Sequence, residues 1–280
     1  DTLRKAIADG RLHKSVKQQE PTGEKVKTSS KSERSAADSE SPLGMGATNT
    51  VARMAARCGI LDGVPVEFEH ALDVPSGGVL LALPSLLVCG LFSRIEDHFS
   101  LPQGYYSMRS IFLLLAFMAL ARIKSIEQLR YLPPGEWGTL LGIDRIPEVR
   151  TLRKKIRHLA DLGKPEVWSA DLCKEWMLQT PEDAMTLYVD GHVRVYHGSQ
   201  TKLPRHHVAR QRLCLRATVD YWVNAMDGQP FFWINKAVDP GLIKVLEEDI
   251  VPRLLRDIPN QPSDEMLAAS PLLHRFAIVF

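Results

Sequence analysis

The sequence lacks the features of a disulfide scaffold, a redox dithiol and a membrane anchor. Only four cysteines occur in 280 residues, and since none belongs to a CxxC pair, neither a zinc ribbon nor a redox motif is predicted. The most apolar stretches, 111–121 and 79–92, fall short of the roughly 20 residues that span a bilayer, and both are predicted to be buried helices. A GxxxxGK[ST] phosphate loop and a GxSxG nucleophile elbow are also absent. These absences favour a reducing, intracellular compartment.

The charges of the chain are almost balanced. There are 35 Lys and Arg residues against 33 Asp and Glu, a net charge of +2. This balance does not by itself indicate a nucleic-acid partner, so such a partner has to be inferred from local clusters of charge. The chain begins at Asp1 rather than Met and stops at Phe280 within an apolar run, and we expect it to be a piece of a longer protein.

Composition and periodicity divide the chain into three predicted parts. Residues 1–50 are polar, cannot bury enough apolar surface to offset their ordering entropy, and are predicted to be disordered. Residues 51–180 are predicted to be mainly helical. From about residue 185 the apolar period changes from 3.6 to 2, and residues 185–280 are predicted to contain three strands, a helix and a last strand buried on both faces. The expected fold class is therefore α+β or α/β.

A basic helix is predicted at 147–162, after a short helix and a turn at 142–146. Its apolar side chains recur at helical spacing, and its basic side chains fall mostly off that stripe, as in a helix that enters a DNA groove. The basic candidates are Arg150, Arg153, Lys154 and Arg157. A DNA-binding helix-turn-helix, a solvated surface helix and a spacer between domains all remain open as interpretations.

Asp190 is the first candidate for catalysis. It lies in an apolar strand and is followed by Gly191, which would let a ligand or a metal ion approach the backbone closely. Because an uncompensated carboxylate is costly to bury, a metal ion is one explanation for a strand aspartate. The alternative is an exposed aspartate that pairs with a neighbouring basic side chain.

The span between Gly191 and Val219 carries positive charge without compensation. It holds six Lys or Arg residues and four histidines but no acidic residue. A patch of one sign beside a strand carboxylate is what contact with a phosphate backbone requires. The candidates for DNA contact here are Lys202, Arg205, Arg210 and Arg212, and the alternative is a solvated loop. Nearby aromatic side chains at 221–222 and 231–233 are predicted to be sheet core rather than a base-stacking surface.

The segment LYVDGHVRVYHGSQTKLPRHHVARQRLCLRATVDYWVN, at 187–224, resembles a bacterial family of transposases with an RNase H-like DDE core. Further similar segments are DVPSGGVLLALPSLL (73–87), LGIDRIPEVRTLRKKIRHLA (141–160) and DPGLIKVLEEDIVPRLL (239–255). The resemblance extends over about 55–280. It implies that Asp190 is the first of three catalytic acids and a metal ligand, that the second acid would follow Phe280, and that the third would lie further on.

The chemistry implied by the resemblance is metal-dependent cleavage and transfer of DNA strands. The three acids would hold two Mg²⁺ or Mn²⁺ ions about 3.5–4 Å apart. The implied partner is double-stranded DNA, at transposon ends and target, with a possible homodimer and no membrane, in the bacterial cytoplasm near the nucleoid. With one of the three acids, the chain alone is expected to be inactive. A non-catalytic DNA-binding remnant, or a structural protein that uses the helical region and the apolar helix 111–121, remains an alternative.

Overall fold

Two regions with separate hydrophobic cores make up the described part of the chain. The computed structural model describes residues 48–68, 70–71, 74–198, 201–208, 211–237 and 239–280. Residues 46–280 cluster as one unit. The predicted disordered segment 1–50 lies outside the described residues except for its last three positions, so that prediction stays untested. Within the described residues, no helix is both long and apolar enough to cross a membrane.

The first region is helical, as predicted. Its core forms around the helix Met108–Leu120, whose Ile111, Leu114 and Phe117 are fully buried together with Trp137 of the helix Pro134–Leu140. The predicted burial of the apolar helix is therefore confirmed. The elements are α1 (Thr50–Arg57), a 3₁₀ helix (Gly77–Ala82), α2 (Leu83–Val88), α3 (Ile95–His98), α4 (Met108–Leu120), a second 3₁₀ helix (Ile126–Tyr131), α5 (Pro134–Leu140), α6 (Val149–Asp161) and α7 (Pro165–Gln179).

The second apolar stretch, 79–92, differs from the prediction of a single buried helix. It divides into the 3₁₀ helix and α2, because Pro84 lacks the N–H that a continuing helix needs and instead occupies the first turn of a new one. Leu81 and Val88 are 86% and 79% exposed. The stretch is apolar on more than one side, and its neighbours in the fold cover only part of it.

The second region is a five-stranded mixed sheet. Strand β1 pairs antiparallel with β3 and parallel with β5, whereas β2 and β4 both pair antiparallel with β3. The strands are β1 (Thr186–Val195), β2 (Arg205–Val208), β3 (Leu213–Ala225), β4 (Pro230–Lys236) and β5 (Ala277–Val279). The fold is therefore mixed α/β, and the change of period near residue 185 marks the start of the sheet.

Helices cover one face of this sheet. Leu187 and Val189 of β1 and Val223 of β3 are buried there against Ile250 and Leu254. These two residues come from a continuous helical stretch made of α8 (Leu242–Val245), a π-helix (Leu246–Ile250) and α9 (Val251–Asp257). The π-helix ends just before Pro252, whose ring cannot donate the next helical hydrogen bond, and this accounts for the irregularity expected at that proline. The short helix α10 (Asp264–Ala269) then leads to β5.

Two features of the strand region differ from the sequence-based expectations. The pairing of β2 with β3 was not predicted, because Arg205–Val208 is short and polar and carries no clear alternation. The last strand, expected to be buried on both faces, is instead the outermost described strand beside β1, and Val279 and Phe280 are 51% and 73% exposed. An all-apolar segment indicates a strand but does not determine what lies next to it.

Candidate active site

The face of the sheet opposite the helices, here called the open face, carries Asp190. Side chains alternate along a strand and cross-strand partners point to the same side, so the register places Asp190 with Trp222 and His192 with Asp220. Trp233 and Asn235 of β4 extend the same two rows across the sheet. Asp190, His192 and Arg194 are all exposed.

The Asp190 carboxylate is exposed on β1, on the open face. Among the described residues, no basic side chain lies within ion-pair distance of it and it accepts no side-chain hydrogen bond. In the described part of the chain, Asp190 therefore does not form the ion pair with a neighbouring basic side chain that was the alternative interpretation. Gly191 faces the other side, where a Cβ atom would lie 3.5 Å from the Tyr221 ring. Asp190 is thus an exposed carboxylate held on strand backbone, and its role as a metal ligand stays a prediction.

Asp220, which the sequence analysis did not single out, is a second carboxylate on the open face. Its side chain is buried, and it accepts a hydrogen bond of 2.5 Å from the Asn235 amide. Its Oδ2 atom lies 2.5 Å from Nη2 of Arg194. The alternation of β3 puts Asp220 on the same face as Trp222, and a correct register for β1 and β3 would have identified it. Its charge is already compensated.

The described residues do not supply a complete two-metal site. They contain no group of three or more His, Cys, Asp or Glu side chains arranged to hold a metal ion. Asp190 is a hard oxygen ligand of the type that Mg²⁺ and Mn²⁺ prefer, but Asp220 is occupied by Arg194 and Asn235. The open face therefore fits one ligand of such a site and not the full set, and no metal-dependent step follows from these residues alone.

Of the basic residues predicted to contact DNA in the span 192–218, Arg205 lies on β2, and Lys202 and Arg212 lie just outside the arm that β2 forms with the start of β3. Arg205 and Arg216 are direct cross-strand partners, and both are exposed. Like charges placed opposite each other destabilise a strand pair, and no acidic side chain lies within ion-pair distance of either one in the described part of the chain. Within the described residues, two unpaired arginines therefore face each other at this point of the sheet, and Arg216 is a basic residue that the sequence analysis did not single out as a candidate.

The arm lies further along the strands from Asp190 rather than beside it. Arg216 is six residues along β3 from Trp222, the partner of Asp190, which corresponds to about 20 Å of strand. Lys202 and Arg212 are exposed at the same end. Arg210 lies outside the described residues. The closest basic side chain along β1 itself is Arg194, the partner of Asp220.

The basic helix is α6, and its four candidate residues lie on one exposed side. Arg150, Arg153, Lys154 and Arg157 are exposed, whereas Val149, Leu152 and Leu159 are buried. Arg153 pairs with Glu127. The connection from α5 covers residues 141–148, longer than the roughly 3–4 residues of a DNA-binding helix-turn-helix. Groove binding by α6 therefore stays a prediction, while an exposed basic surface is a property of the structure.

The aromatic cluster of the sheet is only partly core, contrary to expectation. Tyr221, Phe231 and Phe232 are buried, but Trp233 is 46% exposed. Its ring stacks on Trp222, with centroids 5.6 Å apart and planes at 26°. The period-2 pattern places residues 222 and 233 on the open face, where only part of the aromatic surface is covered.

The chain is thus an α/β protein with a mixed sheet. The open face of that sheet carries an exposed carboxylate, two arginines that face each other and two stacked tryptophan rings. The chain belongs to a family of transposases, since a family model described as "Transposase protein" matches residues 44–280. No match was found among the curated proteins or among the solved structures. The transposase family proposed from the resemblance is confirmed at this level.

Proposed function

We propose that the chain is the DNA-handling part of a DDE-type transposase and that Asp190 is its first catalytic carboxylate. The observation that carries the proposal is the position of Asp190: it is free and exposed on the first strand of the mixed sheet. Across the sheet the strands follow the order β4, β3, β1 and β5, with β5 parallel to β1. This order is the one expected of the RNase H-like core that the resemblance implies.

The register between β1 and β5 supports a specific place for the second acid. Tyr188 pairs with Val279, so the next residue pair along the strands would be Val189 with Phe280. A residue following Phe280 in strand geometry would stand beside Asp190, about 4.8 Å away across the ladder. Together with Asp190, an acid at that position would hold Mg²⁺ or Mn²⁺, and the ion would supply polarisation of a phosphodiester for attack. With one of the three implied catalytic acids among its described residues, the chain is expected not to cleave DNA alone.

The residues of this chain would bind and orient DNA. The Arg205–Arg216 pair is about 20 Å along the sheet from Asp190, equivalent to about six base pairs of B-DNA at 3.4 Å each. Phosphates held on this arm would therefore fix the register of a duplex whose reacting bond lies at Asp190. The exposed side of α6 supplies a second basic surface for flanking DNA.

The proposal is tested by a cleavage and joining assay with the protein encoded by the complete reading frame. End-labelled duplex and supercoiled target DNA are incubated with Mg²⁺ or with a chelator, and the products are resolved on a denaturing gel. We expect nicked and joined products with Mg²⁺ only. Cleavage that is equally fast in the chelator would contradict the metal-dependent chemistry.

A non-catalytic DNA-binding remnant is the second candidate function. The observation behind it is that the described residues supply no group of three or more metal-ligating side chains around Asp190, and a complete reading frame without a second or third acid would favour it. This candidate predicts tight, salt-dependent DNA binding with no cleavage at any metal concentration. The structural-protein alternative relied on the helical region and the apolar helix 111–121, and Ile111, Leu114 and Phe117 of that helix are buried in the core rather than available to a partner.

The basic side of α6 provides a testable contact surface. Replacing Arg150 and Arg157 together by Ala should lower the slope of log affinity against log salt by about two, since each lost phosphate contact accounts for roughly 0.9. Arg57 and Arg109 are exposed arginines outside the proposed surfaces, and R57A/R109A is the matched control. An unchanged slope in R150A/R157A would show that α6 does not contact DNA.

A further inference from the structure

The helical segment 77–88, made of the first 3₁₀ helix and α2, is apolar on its outer side. Five apolar side chains recur there at spacings of three, four and seven residues, which places them on one side of a helical segment. All five residues are exposed, and this surface is here called the α2 apolar face: Leu80, Leu81, Pro84, Leu87 and Val88. Neither the proposed role of Asp190 nor the basic surfaces account for it.

The opposite side of the same segment anchors it to the rest of the protein. Val79 and Leu86, which are seven residues apart, pack against the first hydrophobic core. At the end of α2, the indole N–H of Trp176 donates to the Cys89 carbonyl oxygen at 3.0 Å. The α2 apolar face therefore lies on backbone that is already held in place, and a partner that binds it has little backbone freedom to immobilise.

The size of the α2 apolar face matches the centre of a dimer interface. At roughly 30 Å² for each exposed CH₂ group, its five side chains present about 300–400 Å². Apolar patches of this size often mark interaction sites. A stable interface buries about 800 Å² on each partner, with an apolar core surrounded by a polar rim. The face thus supplies the core of one side of such an interface.

The absence of charge indicates which kind of partner the α2 apolar face fits. Residues 74–93 contain no Asp, Glu, Lys, Arg or His, so the face offers no cation to a DNA phosphate. Helices that lie on a membrane surface carry Lys and Arg on their polar side, and this segment has none. A two-fold contact places the same patch on both partners, and an uncharged apolar patch meets no like charge when it packs on its own copy.

We propose that the α2 apolar face is the contact surface of a homodimer, in which the face of one copy packs on the same face of a second copy. Side chains at spacings of three and four residues form ridges that fit the grooves of another helix, and the leucines of the face provide such ridges. The resemblance implies a possible homodimer without naming a surface, and this inference assigns one. It does not rest on the proposed function, because the contact is apolar and needs no DNA.

The experiment measures the mass of the nuclease-treated full chain by sedimentation velocity from about 1 to 100 µM, the weak end of the affinity range for interfaces of standard size. We expect a shift from one copy to two as the concentration rises. L81E/V88E should weaken this association by at least about 100-fold, because a two-fold contact brings four carboxylates together in an apolar interface.

The matched control is V51E/L272E, which changes the same two residue types at equally exposed positions elsewhere. Leu81 and Leu272 are 86% and 87% exposed, and Val88 and Val51 are 79% and 80% exposed. The control should associate like the unmodified chain. Sodium sulfate should strengthen the association, since this salt favours apolar burial, whereas copies bridged by residual DNA would separate as the salt concentration rises.

Hydrogen exchange of the unmodified chain replaces the substitution if circular dichroism shows that L81E/V88E does not fold. The amides of residues 80–88 should then exchange more slowly at about 100 µM than at about 1 µM, since a contact that forms only in the dimer suppresses local opening. A chain that stays monomeric, a dimer equally stable in L81E/V88E, an equal loss in V51E/L272E, or protection that is independent of concentration would overturn the inference. Each of these results leaves the proposed function standing.

Discussion

In the protein encoded by the complete reading frame, Asp190→Asn should lower the rate of strand cleavage by at least 10²–10³-fold, the order of magnitude for loss of a group that stabilises transition-state charge. The asparagine has nearly the same shape but no charge with which to hold a divalent cation. Affinity for duplex DNA should stay within about twofold, because the phosphate contacts assigned to Arg205, Arg216 and α6 do not involve this side chain.

The control for this substitution is Asp161→Asn, at an exposed aspartate at the end of α6. D161N should cleave at the rate of the unmodified protein. Mg²⁺-dependent cleavage by D190N at that same rate would remove Asp190 from the chemistry. A joint loss of cleavage and of DNA affinity would instead point to a folding defect, which circular dichroism distinguishes.

Asp144→Asn should cost about 3–5 kcal/mol of folding stability, the range for breaking one side of a buried ion pair. The Asp144 side chain is 3% exposed and accepts from Arg53 through Nε at 2.9 Å and Nη2 at 2.5 Å, and from the Tyr105 hydroxyl at 2.6 Å. Backbone N–H groups of Thr48 and Asn49 also donate to it at 3.2 Å. One carboxylate thereby fastens α1 to the loop before α6.

The folding stability that Asp144 supplies should decrease as the pH becomes acidic. Burial alone would raise the pKa of Asp144, but the hydrogen bonds from Arg53 and Tyr105 outweigh burial and leave the pKa below its ordinary value. A carboxylate whose pKa is lower in the folded state contributes stability above its unfolded pKa of about 3.9 and loses it as the pH falls through the folded value. The unmodified chain should therefore lose more stability than D144N below about pH 4.

Thermal unfolding at pH 7 and at acid pH measures both effects. A loss of 3–5 kcal/mol corresponds to a melting point lower by about 6–20 °C for a domain of this size. D161N, which removes a charge from an exposed position, should leave the melting point within about 2 °C. A D144N melting point equal to that of D161N would mean that the network around Asp144 does not stabilise the fold.

Much of the fold could be predicted because the spacing of apolar residues changes once along the sequence, from 3.6 to 2 at about residue 185. Leu152 and Leu159 recur at helical spacing on α6, and Leu187 and Val189 alternate on β1, and the structure buries both pairs. Periodicity indicates which side of a helix or strand is apolar, and that side is the one that the fold buries. The position of Asp190 on an exposed strand face is a consequence of the same alternation.

The remaining parts of the site depend on pairing between distant segments, which periodicity does not specify. The opposed arginines at 205 and 216 and the contact between Arg194 and Asp220 exist only because of the register of β1, β2 and β3. The Asp144 network joins residues more than 90 positions apart. Trp233 was expected in the core because it is aromatic, yet its exposure is decided by which face the helices cover.

The measurement that tests the account most directly is the salt dependence of duplex DNA affinity, made with the full chain and with R205A/R216A. The account predicts a linear fall of log affinity with log salt, and a slope smaller by about two in the double variant, since two phosphate contacts are lost. R57A/R109A should keep the original slope. DNA affinity that is absent, insensitive to salt, or unchanged in slope by R205A/R216A would contradict the assignment of the open sheet face as the surface that binds DNA.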